Sequence, residues 1–298
     1  MKNSTKGALA ASLSFFLWGL FPIFWKLFDG GNPLELTAHR VLWTLAMLIP
    51  VLAFRGSLQA TLAAFKSPKV IATHALAATC LATNWLIFVW AVVNDRVLEA
   101  ALGYYLNPFL YILLGRLVLR EKHSSFQLLA IAIAAAGVAL QFFAIDGIPW
   151  ASLSIAVTFA AYGLLKKKSA LGPFSGLAME MAILTPIALL YGGLLINSSQ
   201  SAFGADFFTT FLLIATGLVT AIPLLLFARG VRTISLSLLG ILQFIAPTGQ
   251  FLIGWLVYGE PLPSLRLASF SLIWIAVIFY IVSQRRSTMP LPEKVPLT

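Results

Sequence analysis

The sequence predicts an all-α integral membrane protein with ten transmembrane helices, arranged as two inverted five-helix repeats. Three observations lead there. Of 298 residues, 60% are hydrophobic and only 10% charged, against roughly a quarter charged in soluble domains. The apolar residues fall into runs close to the ~20 positions that a spanning helix needs, parted by short polar breaks. Residues 98–121 (LEAALGYYLNPFLYILLGRLVLRE) and 237–260 (SLLGILQFIAPTGQFLIGWLVYGE) repeat one pattern. At an offset of 139, Pro108 falls on Pro247, Glu121 on Glu260 and Phe88 on Phe227. Trp18-Gly19-Leu20 matches Tyr162-Gly163-Leu164 at an offset of 144. The duplication divides the chain into 1–145 and 146–284, followed by a polar, proline-bearing tail, 285–298, expected to be disordered.

The first apolar run, about 7–27, carries Trp18 and Pro22 and is too long for a cleaved signal. Helices follow at about 34–54, 70–93, 98–119 and 124–143, then the Asp146-Gly147 turn. The second half supplies helices at about 149–167, 174–196, 207–228, 236–258 and 264–283. Charges, glycines and prolines set these boundaries, because all-round hydrophobicity blurs helical periodicity. Cys80 is the single cysteine, which excludes an intramolecular disulfide.

The formal charge of +10 suggests nucleic acid until its distribution is read. With the N-terminus cytoplasmic, alternate breaks on one side collect Lys2, Lys6, Arg55, Lys66, Lys69, Arg116, Arg120, Lys122, Lys166, Lys167, Lys168, Arg229, Arg232, Arg285, Arg286 and Lys294. The other side has Lys26, Arg96 and Arg266. This is the positive-inside pattern. It places both termini in the cytoplasm and needs no nucleic-acid partner. Five helices per repeat is odd, so the second repeat enters the bilayer from the opposite side. Inverted repeats recur in transporters, with sites near the midplane at the repeat interface.

Polar residues inside apolar runs are the candidate site. Tyr104, Asn107 and Tyr111 share one face of the fourth helix, and Gln243 and Gln250 flank Pro247 on the equivalent face of the ninth. Amides facing lipid would be unpaired, so both faces should turn inward, either to bind a small solute or to bond helix to helix. Asn84, Trp18 and Tyr162 join the candidates as midplane hydrogen-bonding or stacking groups. Pro108 and Pro247 each free a carbonyl one turn earlier, as hinges or as tolerated kinks. His39 and Arg40 lie about two turns into the second helix and Glu180 similarly far into the seventh, from the opposite face. Each is then roughly 10 Å deep at 1.5 Å per residue, so a direct Arg40–Glu180 pair is strained. Arg40 is expected to meet Asp29 or Glu35, and Glu180 to meet Lys166 or Lys167. These charges serve either as ion pairs at the two mouths or as gates and substrate-charge readers. Proton coupling would draw on His39 or Glu180.

Lys26 is expected to snorkel outward. Trp25, Trp43, Trp90 and Trp150 are expected in the interfacial belt. Glu121 and Glu260 are expected to cap the helices they begin, and His74 and His123 to be solvated or packed. No nucleotide-binding loop, zinc-ligand cluster or serine-hydrolase elbow occurs, so neither cofactor nor metal is expected.

The segments FFLWGLFPIFWKL (15–27), ELTAHRVLW (35–43), NWLIFVWAVVNDRVLEAALGYYLNP (84–108), TAIPLLLFARG (220–230) and QFIAPTGQFLIGWLVYGEPL (243–262) resemble RarD permeases, in the EamA-domain branch of the drug/metabolite transporters. The resemblance spans nearly the whole chain. It implies two inverted five-helix repeats in a bacterial inner membrane. The implied partners are the lipid bilayer and a small organic solute, such as an amino-acid-like metabolite or an amphipathic drug. A non-transporting membrane enzyme or a membrane subunit of a complex is the alternative.

Overall fold

A computed structural model of the chain describes residues 2–28, 31–93, 97–142, 150–259 and 264–287. These residues are helical nearly throughout. The elements are α1 (Lys2–Gly19), α2 (Phe21–Trp25), α3 (Pro33–Phe54), α4 (Leu58–Ala64), α5 (Pro68–Val93), α6 (Val97–Val118) and α7 (Ser125–Phe142), then α8 (Trp150–Lys168), α9 (Pro173–Asn197), α10 (Phe207–Thr233), α11 (Leu236–Gln243), α12 (Ile245–Leu256) and α13 (Ser264–Ser287). Six stretches among the described residues are long and apolar enough to cross a membrane: Asn3–Trp25, Pro33–Phe54, Pro68–Phe88, Pro173–Asn197, Phe207–Thr233 and Leu236–Leu256. Ser125–Leu140 and Leu267–Ser283 are shorter apolar helices. Large side chains such as Ile187, Leu190 and Leu194 point outward from α9, as a lipid-facing surface requires. The protein is a multi-pass helical membrane protein.

Capping chemistry starts the helices where turns must end. Asn32 accepts from the Leu34 and Glu35 amides at 3.0 and 3.4 Å, with Pro33 as the first residue of α3. Asp206 accepts from Thr209 and opens α10, and Ser235 accepts from Leu238 and opens α11.

Proline explains two departures from the expected helices. The runs at 7–27 and 236–258 are each broken, after Gly19 and at Phe244. Pro22 and Pro247 have no N–H, and each ring collides with the carbonyl four residues earlier. The Trp18 carbonyl that Pro22 leaves free accepts instead from Gln250 Nε2, at 3.1 Å. Pro108 sits inside an unbroken α6. Among the other differences, a short α4 fills the break between the second and third runs, α10 continues to Thr233, and α13 continues to Ser287. The start of the expected disordered tail is therefore helical, and 288–298 lie outside the described residues, as do the Asp146-Gly147 turn and Glu260.

The helices interlock across the chain. The first helix packs on α10, α11 and α12, and α8 packs on α5 and α6. Between them, α3 lies against α9 and α10, α6 against α11, and α7 against α13. Close approach of α3 and α10 depends on Gly217, where an added Cβ would stand 2.6 Å from the Trp43 backbone carbon. Thr44 Oγ1 donates to the Gly217 carbonyl at the same crossing, at 3.2 Å. Gly192, by contrast, faces open space.

Gly217→Ala is expected to destabilise the protein by about 1–3 kcal/mol, since backbone cannot yield as a side chain can. Gly192→Ala should be neutral or stabilising by up to about 1 kcal/mol through helix propensity. Thermal unfolding of the two variants in one detergent checks both, and equal midpoints would refute the packing argument.

Candidate functional site

A cavity of about 520 Å³ opens between α1–α2, α3, α5, α6, α10 and α11–α12. Its lining extends from Phe28, Gly31 and Pro33, where α2 ends and α3 begins, to the buried Asn84 and Gln243 and to Tyr104. Most of the wall is apolar, with nine aromatic residues in it. The volume and the lining suit a small organic molecule.

Five of the eight expected binding residues line this cavity: Trp18, Asn84, Tyr104, Gln243 and Gln250. Tyr104 donates to Asn84 Oδ1 at 3.2 Å, and Asn84 Nδ2 donates to the Ile155 carbonyl at 2.9 Å and to Thr158 at 3.2 Å. Gln243 is 3% exposed and its Oε1 has no hydrogen-bond partner. The other three are outside its lining and make contacts between helices. Asn107 donates to the Ala156 carbonyl and Tyr111 to the Phe159 carbonyl, both at 3.1 Å. Tyr162, fully buried, donates to Glu180 Oε2 at 3.2 Å. Pro247 lines the cavity at the α11–α12 break, and Pro108 packs against Gly240.

Arg40 reaches the cavity wall rather than the expected Glu35. Its Nε donates to Thr220 Oγ1 at 3.0 Å, and its guanidinium lies 3.9 Å from the Trp85 ring centroid and 5.4 Å from that of Trp25. Trp25 is thus a wall residue, not only part of an interfacial belt. Asp29, the other expected partner, lies outside the described residues. Glu35 is occupied elsewhere. Its Oε1 accepts from Ser201 Oγ and the Ala202 amide, each at 2.8 Å, and stands 4.0 Å from His39 Nε2. His39 Nδ1 accepts from Trp43 Nε1 at 3.1 Å, and the ring stacks on Phe203. His39 and Trp43 therefore pin the 198–206 loop instead of facing the cavity. Lys26 lies over the Tyr258 ring at 3.4 Å, joining α2 to the end of α12.

A row of aromatic rings continues from the cavity wall at Trp18 and Phe159. Trp18 packs edge-on to Phe159 at 5.6 Å, Phe159 lies 5.4 Å from Phe227, and Phe227 stacks on Tyr162 at 5.9 Å. Beyond this row stands Glu180. Its Oε1 is 2.7 Å from Lys166 Nζ and 2.8 Å from His74 Nδ1, and all three side chains are almost wholly buried. His74 Nε2 continues the network to Ser169 at 3.0 Å. His74 is thus a partner of Glu180, which its place near a helix start did not suggest.

The basic ends of the helices are laced together nearby. Lys167 Nζ donates to the Val231 and Ile234 carbonyls at 2.9 and 2.5 Å, at the C-terminus of α10. Arg232 donates to the Ser169 and Leu171 carbonyls. Glu121 does not cap its own helix, which Ser124 and Gln127 cap reciprocally. Its oxygens accept instead from the Leu236 amide at 2.7 Å, the Ser237 amide at 3.1 Å and the Ser237 hydroxyl at 2.6 Å, at the N-terminus of α11. His123 Nε2 meets the same hydroxyl at 2.7 Å, and its Nδ1 is unpartnered. Because that hydroxyl donates to Glu121, it accepts from His123, which places a proton on Nε2. Burial lowers the His123 pKa, against the pull of Glu121 and with the push of Arg116.

The comparisons agree with this architecture. Residues 5–143 match the model described as "EamA-like transporter family". The "Uncharacterized transporter YojE" of Bacillus subtilis is 41% identical over 95% of both chains. "Protein RarD" of Salmonella typhi is 36% identical over 94% of this chain and 96% of its own. "Protein RarD" of Escherichia coli is 34% identical over 96% and 99%. A solved crystal structure with 18% identity superposes with a TM-score of 0.74, over 94% of this chain and 99% of its own. That likeness concerns the fold alone.

Two outcomes are expected of these buried groups. Glu180→Gln strands Lys166 as an uncompensated buried charge and should cost about 3–5 kcal/mol. The double variant Glu180→Gln/Lys166→Met should recover much of that loss in thermal unfolding. A lowered folded-state pKa means that protonating His123 works against the folded contacts, so the contribution present above about pH 6.5 is lost as the solution is acidified. Protection of the Leu236 and Ser237 amides, relative to intrinsic exchange at each pH, should fall in acid, and His123→Gln should remove that fall. An unchanged acid response in the variant would show that His123 is not its source.

Proposed function

The chain belongs to the RarD group of EamA-like transporters, and from that premise we propose that it is a secondary transporter carrying a small organic solute through this cavity by alternating access. The observation that carries the reading is a single cavity lined by polar groups from both halves of the chain, Asn84 and Tyr104 from the first and Gln243 and Gln250 from the second. Tyr104 and Gln243, repeat counterparts at the offset of 139, face the same space.

In this reading the ten crossings form two inverted repeats, 1–145 and 146–284, with α1–α2 and α11–α12 each counting as one crossing. The swapped packing supports it: α1 against α10 and α12 is the counterpart of α8 against α5 and α6. Tyr111 and Gln250 are also counterparts, and each donates to a carbonyl of the opposite half. The basic end faces the cytoplasm of a bacterial inner membrane, with both termini inside. The cavity then faces outward. The aromatic row and the Glu121, Lys167 and Arg232 contacts form the inner seal, and transport requires them to part. Asn84, Tyr104 and Gln243 hold the solute against the Trp18–Phe159 pair, while His39 and Lys26 organise the outer mouth. Glu180, with His74 at 2.8 Å, supplies a site for a coupled proton.

Counterflow in proteoliposomes tests the proposal. The double variant Asn84→Ala/Gln243→Ala should lose about tenfold or more in flux relative to wild type, at equal expression, while Gly192→Ala is unaffected. Flux unchanged in the double variant would remove the cavity from the mechanism. An absence of flux from folded protein across solute classes would favour an enzyme or a subunit of a complex. A pH gradient imposed on the active solute separates proton coupling from uniport or exchange.

A further inference from the structure

We infer that the solute is an organic monoanion: a carboxylate on an apolar or aromatic body, with a neutral hydrogen-bond donor. This rests on the cavity being the solute site. Arg40 is the one charged side chain among the described residues of the wall. Thr220 takes its Nε and the Trp85 face holds the cation, but no described carboxylate neutralises it. A guanidinium held at this depth is costly unless paired, and stacking on tryptophan offsets only about 2 kcal/mol or so of that cost. A carboxylate completes it, because the planar fork of Arg matches two carboxylate oxygens.

The rest of the wall selects the remainder of the molecule. Gln243 presents a buried acceptor with no partner, which a neutral N–H or O–H of the solute would satisfy. Trp18, Phe21, Phe88 and Phe159 supply ring faces and edges for an apolar body. A cationic solute would meet Arg40 with like charge and would find no carboxylate among the described wall residues. A zwitterion would find no counter-charge there for its ammonium group, only the neutral Gln243 oxygen and the ring faces. The arrangement therefore discriminates by charge at one end and by hydrogen-bond polarity near the other.

Four probes that share one skeleton and one phenolic O–H test this: 3-(4-hydroxyphenyl)propionate, 3-(4-hydroxyphenyl)propionamide, 3-(4-hydroxyphenyl)propylamine and tyrosine. Binding to the purified full-length protein is followed by tryptophan fluorescence, and transport by counterflow. The anion should be preferred by about tenfold or more, the scale of one charge-assisted hydrogen bond. Arg40→Gln should abolish that preference without lowering the unfolding midpoint, and Arg40→Lys should keep part of it. Handling of the amide, amine or zwitterion as well as the anion overturns the monoanion inference while leaving the cavity as the solute site. An Arg40→Gln variant that keeps the preference does the same. Flux of any probe that neither Arg40→Gln nor Gln243→Leu alters overturns the cavity reading itself, and failure of folded protein to bind or move any probe overturns both.

Discussion

A polar group inside a lipid-facing bundle has no water to fall back on, so it must find its partner in the protein. That constraint arranges this molecule. Ser14 donates to the Pro223 carbonyl, Thr44 to that of Gly217 and Asn107 to that of Ala156, each tying one helix to another distant in sequence. Glu180 gathers His74 from α5 and Lys166 and Tyr162 from α8. Pairing is incomplete at Arg40 and Gln243, which line the cavity, and at Asn107 Oδ1 and His123 Nδ1, which do not.

The two proline breaks show the same constraint acting on the backbone. A proline in a spanning helix strands a carbonyl, and the stranded group needs a donor from elsewhere. For Trp18 that donor is Gln250, from the other half of the chain. One amide thus closes a backbone defect and borders the cavity. The break at Phe244 similarly sets Gln243 and Pro247 on the two sides of a corner in the wall.

Much of this was legible in the sequence, for identifiable reasons. The apolar runs, their breaks and the duplicated proline patterns are properties of segments, and segments survive folding with small shifts in boundary. The polar faces of the fourth and ninth runs were legible too, but which member of each face meets the cavity was not. Asn107 and Tyr111 share a face with Tyr104, yet the backbone of α8 passes close enough to take their hydrogen bonds. That proximity depends on Gly163 packing against Tyr111, a contact between residues 48 or more positions from one another. His74, Trp85 and Thr220 were missed as partners because each is unremarkable in its own helix and acquires meaning only from what the fold sets opposite. Glu121 was assigned the right kind of task on the wrong helix. A carboxylate seeks an N-terminus, and the nearest one in space belongs to α11.

The interlocking of the halves also bears on how the chain is made. The first helix leaves the ribosome with Ser14 and Gly19 on faces that later meet α10 and α12. Those helices are synthesised more than 180 residues later. At roughly 5–20 residues per second, α1 waits for its partners for on the order of ten seconds or more. During that interval its hydroxyl and its glycine groove are open to lipid or to the insertion machinery. The completed packing is thus the last event of biogenesis for the first segment made, and a chain halted before α10 would leave that segment in the membrane without its neighbours.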